Sequence, residues 1–173
     1  LHGVSEDGKT AYIIAARPEP RDRTLWAVSI GDGSERRIGP SSGSVGVLSN
    51  ESLSRLILTH STAATLPEVD VYDAAGRRLR AVQRHAPLRK RLEAFDLPTK
   101  EFTSVPGADG QTLNAWILRP PRWEPGARYP LLMMVYGGPD SQTVTDGWGL
   151  GWEQFLAQEG FLVASVDGRG TGA

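Results

Sequence analysis

From residue 1 to about residue 83 the chain alternates short apolar segments with polar turns, and the same order of segments is used twice, roughly 44 residues apart. In the first pass Ser5-Glu6-Asp7-Gly8-Lys9 leads into Ala11-Tyr12-Ile13-Ile14-Ala15-Ala16, then Leu25-Trp26-Ala27-Val28 and the turn Gly31-Asp32-Gly33. In the second, Ser49-Asn50-Glu51-Ser52 precedes Arg55-Leu56-Ile57-Leu58-Thr59, and after Pro67 come Val69-Asp70-Val71-Tyr72 and the turn Asp73-Ala74-Ala75-Gly76. Short β-rich segments between polar turns, repeating at a blade-like interval, predict consecutive four-stranded β-propeller blades. A generic antiparallel sandwich is the competing all-β fold. The polar stretch Ser42-Gly43-Ser44-Val45-Gly46 reads as an inter-blade loop.

From Leu97 onward the pattern changes. Phe102-Thr103-Ser104-Val105, the turn Gly107-Ala108-Asp109-Gly110 and Leu113-Asn114-Ala115-Trp116-Ile117-Leu118 predict a hairpin. Pro120, Pro121 and Pro125 stop a regular ladder, since each removes a backbone donor. The continuous apolar run Leu131-Leu132-Met133-Met134-Val135 predicts a strand buried on both faces. After a Gly-rich loop, residues 152–158 have helical spacing, with Trp152, Phe155 and Leu156 on one face and Gly160 as the stop. Phe161-Leu162-Val163-Ala164-Ser165-Val166 predicts a second buried strand, and strand, helix, strand in this order implies a crossover in a largely parallel sheet. The expected organisation is therefore β-propeller blades (all-β) over residues 1–97, followed by the N-terminal part of an α/β-hydrolase domain over residues 98–173.

Charge narrows the partners little. Nineteen basic and twenty acidic residues leave a net charge of −1, with no lean toward nucleic acid or anionic lipid. The basic stretch from Arg77 to Arg91 has no interleaved aromatics and reads as a solvated outer strand and interdomain linker. Cysteine is absent, which removes disulfides, thiolate zinc sites and a cysteine nucleophile. The apolar runs fall far short of the roughly 20 residues of a membrane helix, so a soluble protein is expected. The start, Leu1-His2-Gly3-Val4-Ser5, shows neither an initiating Met nor a signal peptide and reads as cut. Cytoplasmic, periplasmic and secreted locations all remain open.

The segment Tyr129-Pro130-Leu131-Leu132-Met133-Met134-Val135-Tyr136-Gly137-Gly138-Pro139-Asp140-Ser141-Gln142-Thr143-Val144 resembles the start of the catalytic domain in the dipeptidyl peptidase IV branch of the prolyl oligopeptidase family. So does Val166-Asp167-Gly168-Arg169-Gly170-Thr171-Gly172. The two motifs stand in family order with an amphipathic helix between them. The resemblance is specific over residues 98–173, whereas residues 1–97 share only a propeller's general pattern.

The resemblance implies a serine peptidase that takes peptides as substrate and cleaves after proline or alanine, with no metal and no other cofactor, and with a homodimer as one arrangement of the parent protein. It also assigns the Tyr136 hydroxyl to the oxyanion hole. Acyl transfer builds negative charge on a carbonyl oxygen, and donors fixed at that position are worth several kcal/mol each. Tyr136 follows a strand and precedes Gly137-Gly138, whose lack of side chains allows a sharp backbone turn. The competing reading is a tyrosine that caps a buried strand with its hydroxyl in water. Pro139 and Asp140, with Ser141 and Gln142, are expected to shape the active-site mouth together with the two glycines, although an ordinary polar turn explains them equally well. Trp148 and Trp152 read as packing residues. Arg169, in a Gly-rich loop after a strand, reads as one half of a structural ion pair near the site.

Two alternatives come from other classes. Gly168-Arg169-Gly170-Thr171-Gly172-Ala173 fits G-x-G-x-x-A, which would make a nucleotide-binding α/β protein. A noncatalytic propeller-type interaction module is the other. The peptidase reading needs a nucleophile on a G-x-S-x-G elbow followed by an acid and a histidine. Ser42-Gly43-Ser44-Val45-Gly46 lacks the first glycine, and His2, His60 and His85 all precede the hydrolase segment. The triad is therefore expected beyond Ala173, and the chain alone is expected to be inert.

Overall fold

The alternation of the first 83 residues folds into two four-stranded antiparallel sheets in a computed structural model that describes residues 1–138 and 140–171. The first sheet runs β1 (Gly3–Val4), β2 (Thr10–Ala15), β3 (Thr24–Ser29) and β4 (Glu35–Ile38), each strand beside its sequence neighbours. The second repeats that order with β5 (Ser44–Ser49), β6 (Arg55–Thr62), β7 (Thr65–Asp73) and β8 (Arg78–Gln83). In β6, Leu56 and Leu58 are buried while Arg55 and Ile57 face outward, the period of two that a half-buried strand requires. Tyr12, Leu25, Ala27 and Ile38 of the first sheet meet Val45, Leu56, Leu58 and Tyr72 of the second in one core. These are the blades the repeat predicts.

Two details differ from expectation. Residues 42–46 are not all loop: Gly43 takes a φ of +83, and Ser44 then starts β5, pairing with Ser61 while Val45 faces the core. Serines and glycines at both ends of this strand hide it from a pattern read on apolar residues. The basic stretch includes the exposed strand β8, as expected, but continues into a short helix, α1 (Ala86–Leu92), that buries none of its residues.

Contacts divide the chain into two compact units, Leu1–Ala86 with Thr145–Trp148 and Pro87–Val144 with Gly149–Ala173. In the first, Thr145–Trp148 is held by hydrogen bonds from Asp146: its N–H donates to the Arg21 carbonyl at 2.9 Å, and its Oδ1 accepts from Ala63 N–H at 2.7 Å.

The second unit holds a mixed sheet. β9 (Glu101–Pro106) and β10 (Thr112–Leu118) form the expected hairpin, closed by Gly107 N–H on the Gln111 carbonyl at 2.6 Å and by Gly110 at a φ of +81. The sheet continues through β12 (Leu162–Val166) to β11 (Leu131–Met134), and among the described residues only the β11–β12 pair is parallel, so the sheet is not largely parallel. β12 is central, with Val163 and Ser165 fully buried. β11 is not buried on both faces. It is the last strand in the described sheet, with Leu131 58 % and Met133 44 % exposed, and of its residues Leu132 packs against the core.

The helix α2 (Trp152–Gln158) forms where predicted, and of the predicted face Leu156 packs against the core while Trp152 and Phe155 do not. Gln154 and Ala157 are buried, while Trp152 and Phe155 are exposed and lie against each other with ring centroids 5.2 Å apart. Trp152 is thus not a core residue. Gln154 can be buried because both ends of its amide are satisfied: Oε1 accepts from Gly151 N–H at 2.8 Å and Nε2 donates to the Gly149 carbonyl at 2.9 Å. A pattern read on apolar residues cannot register that. Among the described residues no helix is long and apolar enough to cross a membrane.

Candidate active site

The chain leaves β11 at Met134 on the edge where the parallel pair β11–β12 ends, and Tyr136 follows two residues later with 66 % of its surface exposed. Its ring lies over the next turn of backbone. A Cβ at Gly138 would come within 2.9 Å of the Tyr136 phenolic oxygen, so the side chain is missing where the ring needs the space. Neither Gly137 nor Gly138 is among the glycines with positive φ, and Gly137 has open space where a Cβ would stand. Asp140 does take the left-handed conformation, at a φ of +56, which aspartate tolerates better than most residues, and it is exposed. Ser141 closes the loop back on Gly138, whose carbonyl accepts from both its hydroxyl at 2.5 Å and its N–H at 3.2 Å. Pro139 lies outside the described residues.

Tyr136 opens onto a cavity of about 260 Å³, walled by Met134, Trp116, Thr143 and Ser165 and carrying one charge of each sign, Lys100 and Glu153. The Lys100 ammonium stands 4.8 Å from the centre of the Trp116 ring, a cation–π distance. Trp116 is itself buried, with its indole N–H donating to the Thr143 carbonyl at 3.1 Å. This wall offers an aromatic surface, two charges and a phenol hydroxyl on a fixed main chain.

Arg169 lies in the loop after β12 and pairs with Asp109 of the β9–β10 turn. Gly172 and Ala173, needed to judge the glycine-rich nucleotide fingerprint, lie outside the described residues. The string Gly39-Pro40-Ser41-Ser42-Gly43, which the sequence reading passes over, does fit G-x-S-x-G. It joins β4 to β5, two strands of antiparallel sheets, whereas a nucleophile elbow joins a strand to a helix, so its serines are those of an inter-strand turn.

Sequence reasoning missed Thr143, Ser165 and Asp167. Asp167 is 5 % exposed, and its Oδ1 accepts from Thr143 N–H at 2.8 Å, Thr143 Oγ1 at 2.9 Å and Val144 N–H at 3.1 Å. The only local signal was a serine inside the apolar run 161–166 and an aspartate just after it.

No protein-family model matches the chain. It is 30 % identical over 167 residues to the protein named probable dipeptidyl-aminopeptidase B of Aspergillus clavatus, a match covering 93 % of this chain and 18 % of that one. The namesake of Aspergillus fumigatus is 41 % identical over 92 residues, covering 53 % of this chain and 10 % of its own. The crystal structure of Porphyromonas gingivalis dipeptidyl peptidase 4 superposes with a TM-score of 0.93 at 37 % identity, over 100 % of this chain and 24 % of that chain. The chain belongs to the dipeptidyl peptidase IV-like branch of the prolyl oligopeptidase family. The family likeness extends through the blades of the first unit as well as the sheet that carries Tyr136, whereas the sequence motifs came from residues 129–172 alone. The chain spans about a fifth of the length of these family members.

Proposed function

We propose that this chain forms part of a serine peptidase that releases dipeptides from peptide N-termini after proline or alanine, with the Tyr136 phenol donating a hydrogen bond to the oxyanion of the tetrahedral intermediate. The observation that carries the reading is the exposed tyrosine at the carboxyl edge of a parallel strand pair, in a chain alike over its full length to a dipeptidyl peptidase. A phenol O–H is a stronger donor than water. Held on a loop whose backbone is bonded at both ends, it would meet the developing charge without reorganising, the condition under which such donors contribute most. Gly137, Gly138, Pro139 and Asp140 would form the mouth of that site, and the ion pair of Arg169 with Asp109 would hold the adjoining loop to the hairpin. In this reading residues 1–97 are propeller and residues 98–173 the beginning of the hydrolase domain, the partner is a peptide rather than a nucleic acid, and the parent protein associates as a homodimer. The nucleophile, acid and histidine of the triad would be supplied by sequence other than these residues.

A fluorophosphonate probe applied to the full-length gene product tests the peptidase class directly. One labelled serine, protected by an excess of a peptide substrate beginning Xaa-Pro-Xaa, is the expected result. An intact, folded protein with no labelled serine would overturn the proposal.

A further inference from the structure

We propose that Asp167 is a positioning residue for Tyr136, fixing the returning end of the loop that carries the phenol, at Thr143 and Val144, while Ser165 holds the departing end at Met134; the inference rests on the reading of Tyr136 given above. The loop departs at Met134 and is back in contact with the sheet at Thr143. Both ends are bonded to β12 or to the residue that follows it. Ser165 Oγ donates to the Met134 carbonyl at 2.8 Å and lies 2.8 Å from Thr143 Oγ1, whose hydroxyl reaches Asp167 Oδ1 at 2.9 Å. Two hydroxyl hydrogens serve these three contacts, so the Ser165–Thr143 bond forms only when one hydroxyl turns away from its other acceptor. The backbone N–H groups of Thr143 and Val144 engage Asp167 in either arrangement.

The carboxylate carries a cost that marks it as more than filler. Its Oδ2 is buried and has no hydrogen-bond partner among the described residues. A bare buried acceptor weakens the fold, and an apolar residue at this position would remove it only by leaving the Thr143 and Val144 N–H groups without their acceptor. What the carboxylate adds is one oxygen, Oδ1, that accepts three hydrogen bonds, all from Thr143 and Val144. A donor in an oxyanion hole must hold its aim closely, because a displacement of about 1 Å can cost on the order of a hundredfold in rate. The network borders the same cavity as the phenol, through Thr143 and Ser165.

The test uses the full-length gene product, an Xaa-Pro chromogenic substrate, and amide hydrogen exchange at Thr143 and Val144. Asp167→Ala is expected to lower kcat about tenfold with KM nearly unchanged, and to speed exchange of both amides. Asp167→Asn should restore most of both, since its amide oxygen can still accept from the two N–H groups. In a Tyr136→Phe background Asp167→Ala should lower kcat by less than about twofold further, because no phenol remains to be misaimed. Should Asp167→Ala not fold, Thr143→Val, which removes the hydroxyl and keeps the N–H, is expected to lower kcat in the Tyr136 background and not in the Phe background. Equal losses in both backgrounds, or unchanged amide exchange in Asp167→Ala, overturn this inference while leaving the role of Tyr136 standing. Wild-type kcat in Tyr136→Phe overturns the role of Tyr136 and this inference with it.

Discussion

Replacing Asp22 by alanine should loosen the join between the two blades of the first unit. Asp22 is 2 % exposed, and its carboxylate divides its oxygens: Oδ1 accepts from Gly43 N–H at 2.8 Å and Oδ2 from Glu19 N–H at 3.1 Å. The two neighbouring residues are bridged as well, with Arg23 N–H on the Gly43 carbonyl at 2.9 Å and Val45 N–H on the Arg23 carbonyl at 2.8 Å. One side chain thus links the approach to β3 with the approach to β5. Alanine would leave the buried Gly43 N–H without an acceptor, at about 1–3 kcal/mol. The partly exposed Glu19 N–H can turn to water and adds at most about 1 kcal/mol. The sum, about 1–4 kcal/mol, is a substantial share of the 5–15 kcal/mol typical of a folded protein. Asp22→Asn retains one acceptor but turns an NH₂ toward the other N–H, and should cost about half as much. Urea unfolding followed by tryptophan fluorescence measures this, and in thermal unfolding the alanine variant should lose about 2–15 °C in Tm. A loss of less than about 0.5 kcal/mol in Asp22→Ala would show that the carboxylate does not hold the blades together.

Gly43→Ala combines two penalties, the left-handed φ of +83 and a Cβ only 2.5 Å from the Ser61 carbonyl oxygen, and should destabilise by more than about 2 kcal/mol. Gly8→Ala, at a φ of +70 with nothing within 4 Å of its Cβ, carries only the backbone penalty of about 1 kcal/mol; equal losses in urea titrations of the two variants would contradict the contact at Gly43. The Ser29 hydroxyl, with the N–H and hydroxyl of Ser34, holds the Asp32 carboxyl down at about 2, so the stabilisation is complete above the unfolded pKa of about 3.9 and is lost as pH falls toward 2. A carboxyl ¹³C titration should place its midpoint near 2; a midpoint near 3.9 would mean these hydrogen bonds do not form in solution.

β2, β3, β6 and β7 were readable because each holds a short apolar or alternating run bounded by polar turns. β4 and β5 were not, since Glu35-Arg36-Arg37-Ile38 and Ser44-Val45-Gly46 owe their conformation to pairing with β3 and β6. The run in β11 showed a strand but not its burial, because an apolar run is silent about what lies along its second edge. α2 was placed correctly, but of its expected face only Leu156 packs against the core, because a buried glutamine with both amide ends bonded does not look like a core residue. Tyr136 stood out through its flanking motif. Thr143 and Asp167 did not, since their hydrogen bonds join residues 24 positions apart and leave no local pattern.

Single-turnover acylation by the Tyr136→Phe variant of the full-length gene product tests the central claim most directly. Removing only the phenolic oxygen should slow acylation about ten- to a thousandfold while substrate binding and thermal stability stay close to those of the parent. Acylation at the parent's rate would contradict the account, leaving Tyr136 an exposed residue just after a strand.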